Sequence, residues 1–322
     1  MKKQLSFICV QPCIPYYAWQ IEVMLHNFQR LNLHIYDIRC LFAFNKNEPD
    51  WEEKVAVIKK VEKKYKLTAK FFYYEDTRTY PITYISSIRP NILKQHFKEF
   101  PELNDRAIFY HDCDIVFTKF PDFLKDLTED DNNWYVSDTI SYIGHNYIVS
   151  KGEEVLDKMC DVVGINKKLV KSRESESGGA QYVLKGVDWL FFDKMERDCE
   201  NLFKEITFYN KFRKQKEPTY HELQIWCADM WAMLWGGWMR GFNTNIIPEM
   251  DFCWATDDIS KWDERYIFHN AGVVDGHRDV IFYKGDFTNK LPYQADLDKY
   301  SDKKASWKYV QIIKETKENT CL

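Results

Sequence analysis

From Leu5 onward the chain alternates between short continuous apolar runs and longer stretches whose apolar residues recur every three or four positions. Leu5 to Val10 predicts a buried strand, ended by Gln11-Pro12. Trp19 to Leu31 has helical spacing, and His34 to Phe44 predicts a second strand. Over Trp51 to Tyr65, the residues Val55, Ile58, Val61 and Tyr65 fall on one helical face. A third strand is expected over Ala69 to Tyr74 and a helix over Ile85 to Phe100, with Pro90 near its start. Arg106 to Tyr110 then predicts a fourth strand that runs into His111-Asp112-Cys113-Asp114. This alternation points to an α/β fold with a Rossmann-like, mostly parallel twisted sheet and flanking helices. Ligands of such sheets gather at the carboxyl ends of strands. Gln11, Asp76 in the loop after Tyr74, and Asp112 to Asp114 all stand there.

The middle of the chain is less regular. Trp134 to Tyr142 and His145 to Ser150 read as strands, and Glu153 to Val163 as a helix. Lys167 to Ser177 is polar and loop-like and leads to Gly178-Gly179. Further helices are expected over Asp188 to Phe203 and Glu222 to Trp235. In the Lys- and Asp-rich tail, Trp307, Val310 and Ile313 have helical spacing. No internal repeat or composition break asks for a second domain. The expected organisation is one domain over residues 1–290, with a helical tail over 291–322 packed on it.

Composition narrows the classes. The chain has 322 residues, with 45 Lys+Arg against 49 Asp+Glu and a net charge of −4. That balance, without a basic block, gives no reason to bind nucleic acid. Aromatics reach 16% and apolar residues 45%, which excludes disorder. Nine cysteines are scattered without a C-x-x-C pair, as expected of reduced thiols in a cytoplasm. The opening MKKQLSFICVQPCIPYY is too short in its apolar run for a signal peptide, and Met230 to Met239 covers only half a bilayer.

The sharpest chemical feature is Asp112-Cys113-Asp114 between Ile108-Phe109-Tyr110 and Ile115-Val116-Phe117. Two carboxylates one residue apart at a strand end suit a hard cation such as Mg²⁺ or Mn²⁺, which takes few protein carboxylates and shares substrate phosphates. A turn with solvated acids would carry the same letters.

Strand, D-x-D and apolar triplet about a hundred residues in resemble the nucleotide-sugar-dependent glycosyltransferases of the GT-A fold. The resemblance implies that Asp114 ligates a divalent cation and that Asp112 serves the metal or the donor ribose. It extends to Ser177-Gly178-Gly179-Ala180-Gln181-Tyr182, similar to the small-residue turn placed against the sugar, where missing side chains permit close approach. Phe268-His269-Asn270-Ala271-Gly272 resembles the late segment whose histidine completes the metal shell. Lys284 is the basic candidate for the phosphates, at a spacing that departs from the glycogenin-like pattern. Arg89, at a helix start after Tyr84, suits a phosphate or an acid neighbour. Gln11 and Asp76 are placed for the nucleoside.

Four residues are candidates for chemistry at the sugar. Glu222 and Asp229 lie seven apart, which predicts one helix face, and either is a candidate base for an acceptor hydroxyl. If the configuration of the sugar is retained, Gln181, Asp138 and Asp229 are candidates for stabilising a positively charged sugar; an Asx turn is the structural alternative for Asp138, and a buried hydrogen-bonded acid that for Asp229.

The expected activity is metal-dependent transfer of a sugar, a hexose by preference, from a nucleoside diphosphate donor to an acceptor hydroxyl. A UDP-sugar is favoured as donor and a glycan, lipid or other hydroxyl compound is the acceptor. The competing reading is a haloacid-dehalogenase-type phosphatase, with Asp112 as nucleophile, Asp114 as acid/base and Asp257-Asp258 as its late acids. A non-catalytic carbohydrate-binding scaffold would need the acids broken, and Asp112, Asp114 and His269 all stand.

Overall fold

The computed structural model describes residues 4–79, 81–130 and 132–322. Met1 to Lys3, which open the segment read for a leader, lie outside the described residues. The chain forms two compact units, and strand β4 (Ala107–Tyr110) carries it from one to the other.

One unit comprises Leu5–Glu75, Phe109–Leu127 and Glu249–Leu322. It opens with β1 (Leu5–Pro12), α1 (Pro15–Arg30), β2 (Asp37–Phe44), α2 (Trp51–Tyr65) and β3 (Lys70–Glu75). These strands pair in parallel, β1 with β2 and β2 with β3, as the alternation predicts. Helix α1 starts four residues before its periodic pattern because Pro15 occupies the first turn, where a missing N–H costs nothing. A second sheet is built from β5 (Ile115–Phe117), β9 (Phe252–Trp254) and β10 (Ile267–His269), with β10 antiparallel to β5 and parallel to β9. Helix α10 (Lys261–Glu264) precedes β10, and α11 (Ser306–Lys317) closes the chain.

Helix α11 buries Tyr309, Val310, Ile312 and Ile313 in one cluster with Trp19, Phe268 and Phe282. The tail is further tied by Glu22 of α1, whose fully buried carboxylate accepts from Tyr293 Oη at 2.8 Å, Thr320 Oγ1 at 2.8 Å and the Cys321 N–H at 3.0 Å. Lys64 Nζ, 2.9 Å away, supplies the opposite charge that makes this burial tolerable.

The other unit is built mainly from residues 76–108 and 128–248. It contains α3 (Ile88–Glu99), β6 (Asn133–Asp138), α4 (Ile140–Ile143), α5 (His145–Val149), α6 (Glu153–Val163), α7 (Lys167–Ser172), β7 (Gly178–Leu184), α8 (Trp189–Lys216), α9 (Ala228–Met239) and β8 (Asn243–Ile246). β6 runs parallel to β8 and antiparallel to β7. The architecture is therefore mixed α/β with mostly parallel strand pairing and helical flanks.

Several sequence expectations are corrected in this unit. The predicted strand over His145 to Ser150 is a short helix that buries His145 and Ile148, a spacing of three that reads equally as a buried strand when so few residues are involved. The loop predicted over Lys167 to Ser177 contains α7, whose start is capped by Asn166 accepting from the Lys168 N–H at 2.8 Å. Gly178-Gly179 begin a strand, not a turn. Asp188 is the N-cap of α8, and that helix runs thirteen residues past the predicted end at Phe203. Glu222 stands outside α9, which starts at Ala228, so Glu222 and Asp229 do not share a helix face.

Candidate functional site

The D-x-D turn is fixed from both sides. On one side the His111 N–H donates to Ile8 O of β1 at 3.1 Å. On the other, β5 begins at Ile115 immediately after Asp114, and its register pairs Ile115 with His269, the last residue of β10. The Asn270 N–H then donates to Asp114 O at 3.0 Å. Side chains alternate along a strand, so a one-residue slip of this register would turn His269 to the other face. Instead His269 Nε2 lies 3.6 Å from Asp112 Oδ2 and 3.4 Å from Asp114 Oδ1. One ligand atom from each of Asp112, Asp114 and His269 falls within 4.8 Å of the others. Phe252 packs edge-on to the His269 ring at 5.1 Å and Trp254 stacks parallel to it at 6.4 Å, which hold the imidazole in place.

Two carboxylates and an imidazole this close form a donor set of the kind that hard or borderline divalent cations take. Burial alone would push the Asp114 carboxyl up. The Lys284 ammonium, ion-paired to Asp114 Oδ2, and His269 outweigh that and hold it well below the usual carboxylate range. Burial likewise works against the charge on Lys284, and the attraction of Asp114 keeps it protonated. His111, wholly buried beside the turn, is held neutral by desolvation, its pKa lowered to about 4. The sequence places Lys284 at the phosphates; the structure brings it onto Asp114.

Gln11 is buried at the end of β1, and its Oε1 has no hydrogen-bond partner among the described residues. Asn270, 2% exposed, has neither end of its amide satisfied among the described residues. The sequence reading passed over Asn270, and only its place next to His269 could have signalled it. The late acids of the phosphatase reading do not join the D-x-D cluster. Asp257 accepts from the Trp254 N–H at 2.9 Å, and Asp258 pairs with Lys304 at 2.8 Å.

The remaining candidates belong to the other unit. Asp229, 7% exposed, lies in the first turn of α9. Its Oδ1 is 2.7 Å from Tyr84 Oη and its Oδ2 is 3.4 Å from Arg89 Nη1, so the acid neighbour expected for Arg89 is Asp229. Tyr84 is positioned in turn by Glu200 of α8, which accepts from the Thr83 hydroxyl at 2.6 Å and the Tyr84 N–H at 3.2 Å. Asp76 gives both oxygens to Arg78, at 2.9 and 2.8 Å. Gln181 is fully buried, and its Oε1 accepts from Ser137 Oγ at 2.8 Å. Asp138 is exposed, and its Oδ1 accepts from the Ile140 N–H at 3.1 Å, the Asx-turn geometry. Glu222 is exposed.

The glycines are required by close packing. A Cβ on Gly178 would meet Val136 Cγ2 at 2.3 Å and Ser137 O at 2.7 Å, and one on Gly179 would meet Met230 Cε at 2.7 Å. Met230 follows Asp229, so Gly179 admits the helix turn that carries that acid. The next residue, Ala180, adopts φ +66°, a left-handed conformation that costs a non-glycine residue of order 1 kcal/mol. It lies beside the register shift between Val136 and Ser137.

No protein-family model matches the chain, and no curated protein matches it by sequence. Solved structures do. The bifunctional glycosyltransferase WbbM, in its apo form, superposes with a TM-score of 0.51 at 8% identity over 98% of this chain. This chain spans 50% of the WbbM chain. Looser matches are the galactosyltransferase LgtC, solved with donor and acceptor sugar analogues, and GlyE of Streptococcus pneumoniae TIGR4. LgtC gives a TM-score of 0.45 at 11% identity, over 96% of this chain and 95% of that one. GlyE gives 0.39 at 10%, over 99% and 64%. At such identities the likeness concerns the fold. That fold is of the GT-A glycosyltransferase type, and it carries its D-x-D at the turn after β4.

Proposed function

We propose that the chain is a metal-dependent glycosyltransferase that moves a sugar, a hexose by preference, from a nucleoside diphosphate sugar to an acceptor hydroxyl. The observation that carries this reading is the convergence of Asp112, Asp114 and His269 on one point of a GT-A-type fold. Asp112, Asp114 and His269 would hold the cation, Mn²⁺ being favoured over Mg²⁺ because one donor is an imidazole. Such a cation, when bound, neutralises charge on the departing diphosphate.

The chain's own residues supply the rest. Lys284 presents a second positive charge beside Asp114, available to a diphosphate oxygen. The Gln11 Oε1 and both ends of the Asn270 amide, which have no partner among the described residues, are offered to the nucleotide, and a UDP-sugar is the favoured donor. Gly178 and Gly179 keep the β7 start free of side chains. Asp229, oriented by Tyr84 and Arg89, is the preferred group to act on the sugar or the acceptor hydroxyl, ahead of the exposed Glu222. Gln181 is kept for stabilising positive charge on the sugar, and Asp138 and Asp76 for contacts with the donor. None of the nine cysteines is in a disulfide, which supports a reducing cytoplasm.

The test is incubation with a panel of nucleotide sugars and Mn²⁺, reading released nucleoside diphosphate beside Asp114→Ala. Mn²⁺-dependent release from one donor, absent in the variant, establishes the reading and names the donor. No release and no donor-induced thermal stabilisation with any nucleotide sugar overturns it. Asp112-dependent hydrolysis of a simple phosphate ester would favour the phosphatase instead.

A further inference from the structure

The turns that α8 adds beyond its sequence pattern build a surface of their own. Asn210 is the last buried residue of the helix, yet the helix continues to Lys216, about 9 Å further. On this last part of the helix Phe208 is 72% exposed and Phe212 43%. Their spacing of four sets both rings on one stripe, and Lys204 and Lys211 share that face. Lys216 reaches back over the Phe212 ring, its ammonium 4.2 Å from the centroid. Residues 204–217 hold five basic side chains against two acidic ones, in a chain of net charge −4. One of those acids, Glu217, is taken by Arg213 at 3.1 Å.

We propose that this face of α8 docks on an anionic phospholipid membrane surface. Phe208 and Phe212 enter the boundary between headgroups and acyl chains, and Lys204, Lys211 and Lys216 meet lipid phosphates. Composition selects this occupant over a protein. Lysine is depleted from protein–protein interfaces, whereas lysine interleaved with exposed aromatics is the pattern of helices that lie in a membrane interface. Among the described residues no helix is long and apolar enough to cross a membrane, and surface docking needs none. Attachment through a few lysines and two rings is reversible and weakens with salt.

The test is co-sedimentation of the full chain with vesicles of phosphatidylcholine plus phosphatidylglycerol, against phosphatidylcholine alone. Expected is binding to the anionic vesicles only, falling as salt rises. Lys204→Ala with Lys211→Ala weakens it about 25-fold, roughly fivefold per lysine. Phe208→Ala with Phe212→Ala removes it while circular dichroism and the thermal transition stay those of the parent, since both rings are exposed. Absence of binding to either vesicle, equal binding to both, or binding unmoved by these variants overturns the proposal. So does concentration-dependent self-association in sedimentation velocity that the phenylalanine pair abolishes without any vesicle binding, which would make the stripe a protein interface. None of these outcomes depends on transferase activity.

Discussion

The two units each hold a cluster of buried or half-buried charge, and the clusters are built on opposite plans. Around the D-x-D turn, Asp112 and Asp114 face one imidazole and one lysine, with like charges brought together at a strand end. Around Asp229, one carboxylate has one guanidinium, one phenol and a supporting carboxylate, Glu200, that fixes the phenol from behind. The first arrangement concentrates negative charge where a divalent cation can relieve it. The second keeps its two carboxylates on separate donors, Asp229 on Arg89 and Tyr84, and Glu200 on Thr83 and the Tyr84 N–H, and so spends those donors on orientation. Gathered acids point to a metal, and a dispersed, donor-matched acid points to positioning.

The strongest way to break this contrast is to remove one acid from each. Asp114→Asn is expected to weaken Mn²⁺ binding by at least about 100-fold, since even residues one step removed from a metal change affinity by roughly 10–100-fold. Asp229→Asn should leave it unchanged. Mn²⁺ titration followed by electron paramagnetic resonance decides, and equal losses in both variants would erase the distinction.

Next in size is the donor network of the second cluster. Tyr84→Phe removes a hydroxyl 2.7 Å from the Asp229 carboxylate and leaves that acid with less support in a buried place. A loss of about 1–3 kcal/mol in chemical denaturation is expected, with Mn²⁺ affinity intact.

A smaller effect comes from a buried pair that serves as a control in the unit that holds the D-x-D turn. Burial raises the Asp37 pKa, but hydrogen bonds from Lys70 and Arg39 override it and bring it from 3.8 to about 2. A depressed carboxylate contributes stability that is fully present above its unfolded value and is lost as pH falls through the folded one. Stability should therefore drop by about 1–2 kcal/mol between pH 4 and pH 2. In Asp37→Asn this part of the acid slope should vanish; an unchanged slope would show that Asp37 is not its source.

Smallest of all is Glu222→Gln. The side chain is exposed and off the helix that carries Asp229, so stability should move by less than about 0.5 kcal/mol. Donor turnover should stay near that of the parent, whereas Asp229→Asn reduces it. A large loss for Glu222→Gln would transfer the chemistry from Asp229 to Glu222.

The sequence by itself carried the strand–helix alternation of β1 to β4, the parallel pairing that follows from it, and the D-x-D at the end of β4. Those features are legible because burial on both faces of a strand writes a continuous apolar run, and its interruption by two acids stands out. It also named His269 and Arg89 as residues of interest. Tertiary structure alone decided what they meet. The antiparallel register of β5 with β10 brings His269 to a turn more than 150 residues earlier, and no local period records such a pairing. The contact of Arg89 and Tyr84 with Asp229 joins the start of α3 to the start of α9, again through long-range packing. Short elements were misread for a related reason: over five residues, as at His145–Val149, helical and extended periods give the same letters. The far end of α8 carries only Ile206 and Asn210 as buried residues after Phe203, too few to write an apolar period that would mark it. A sequence records which residues must be buried, and only the folded chain shows which of them face one another.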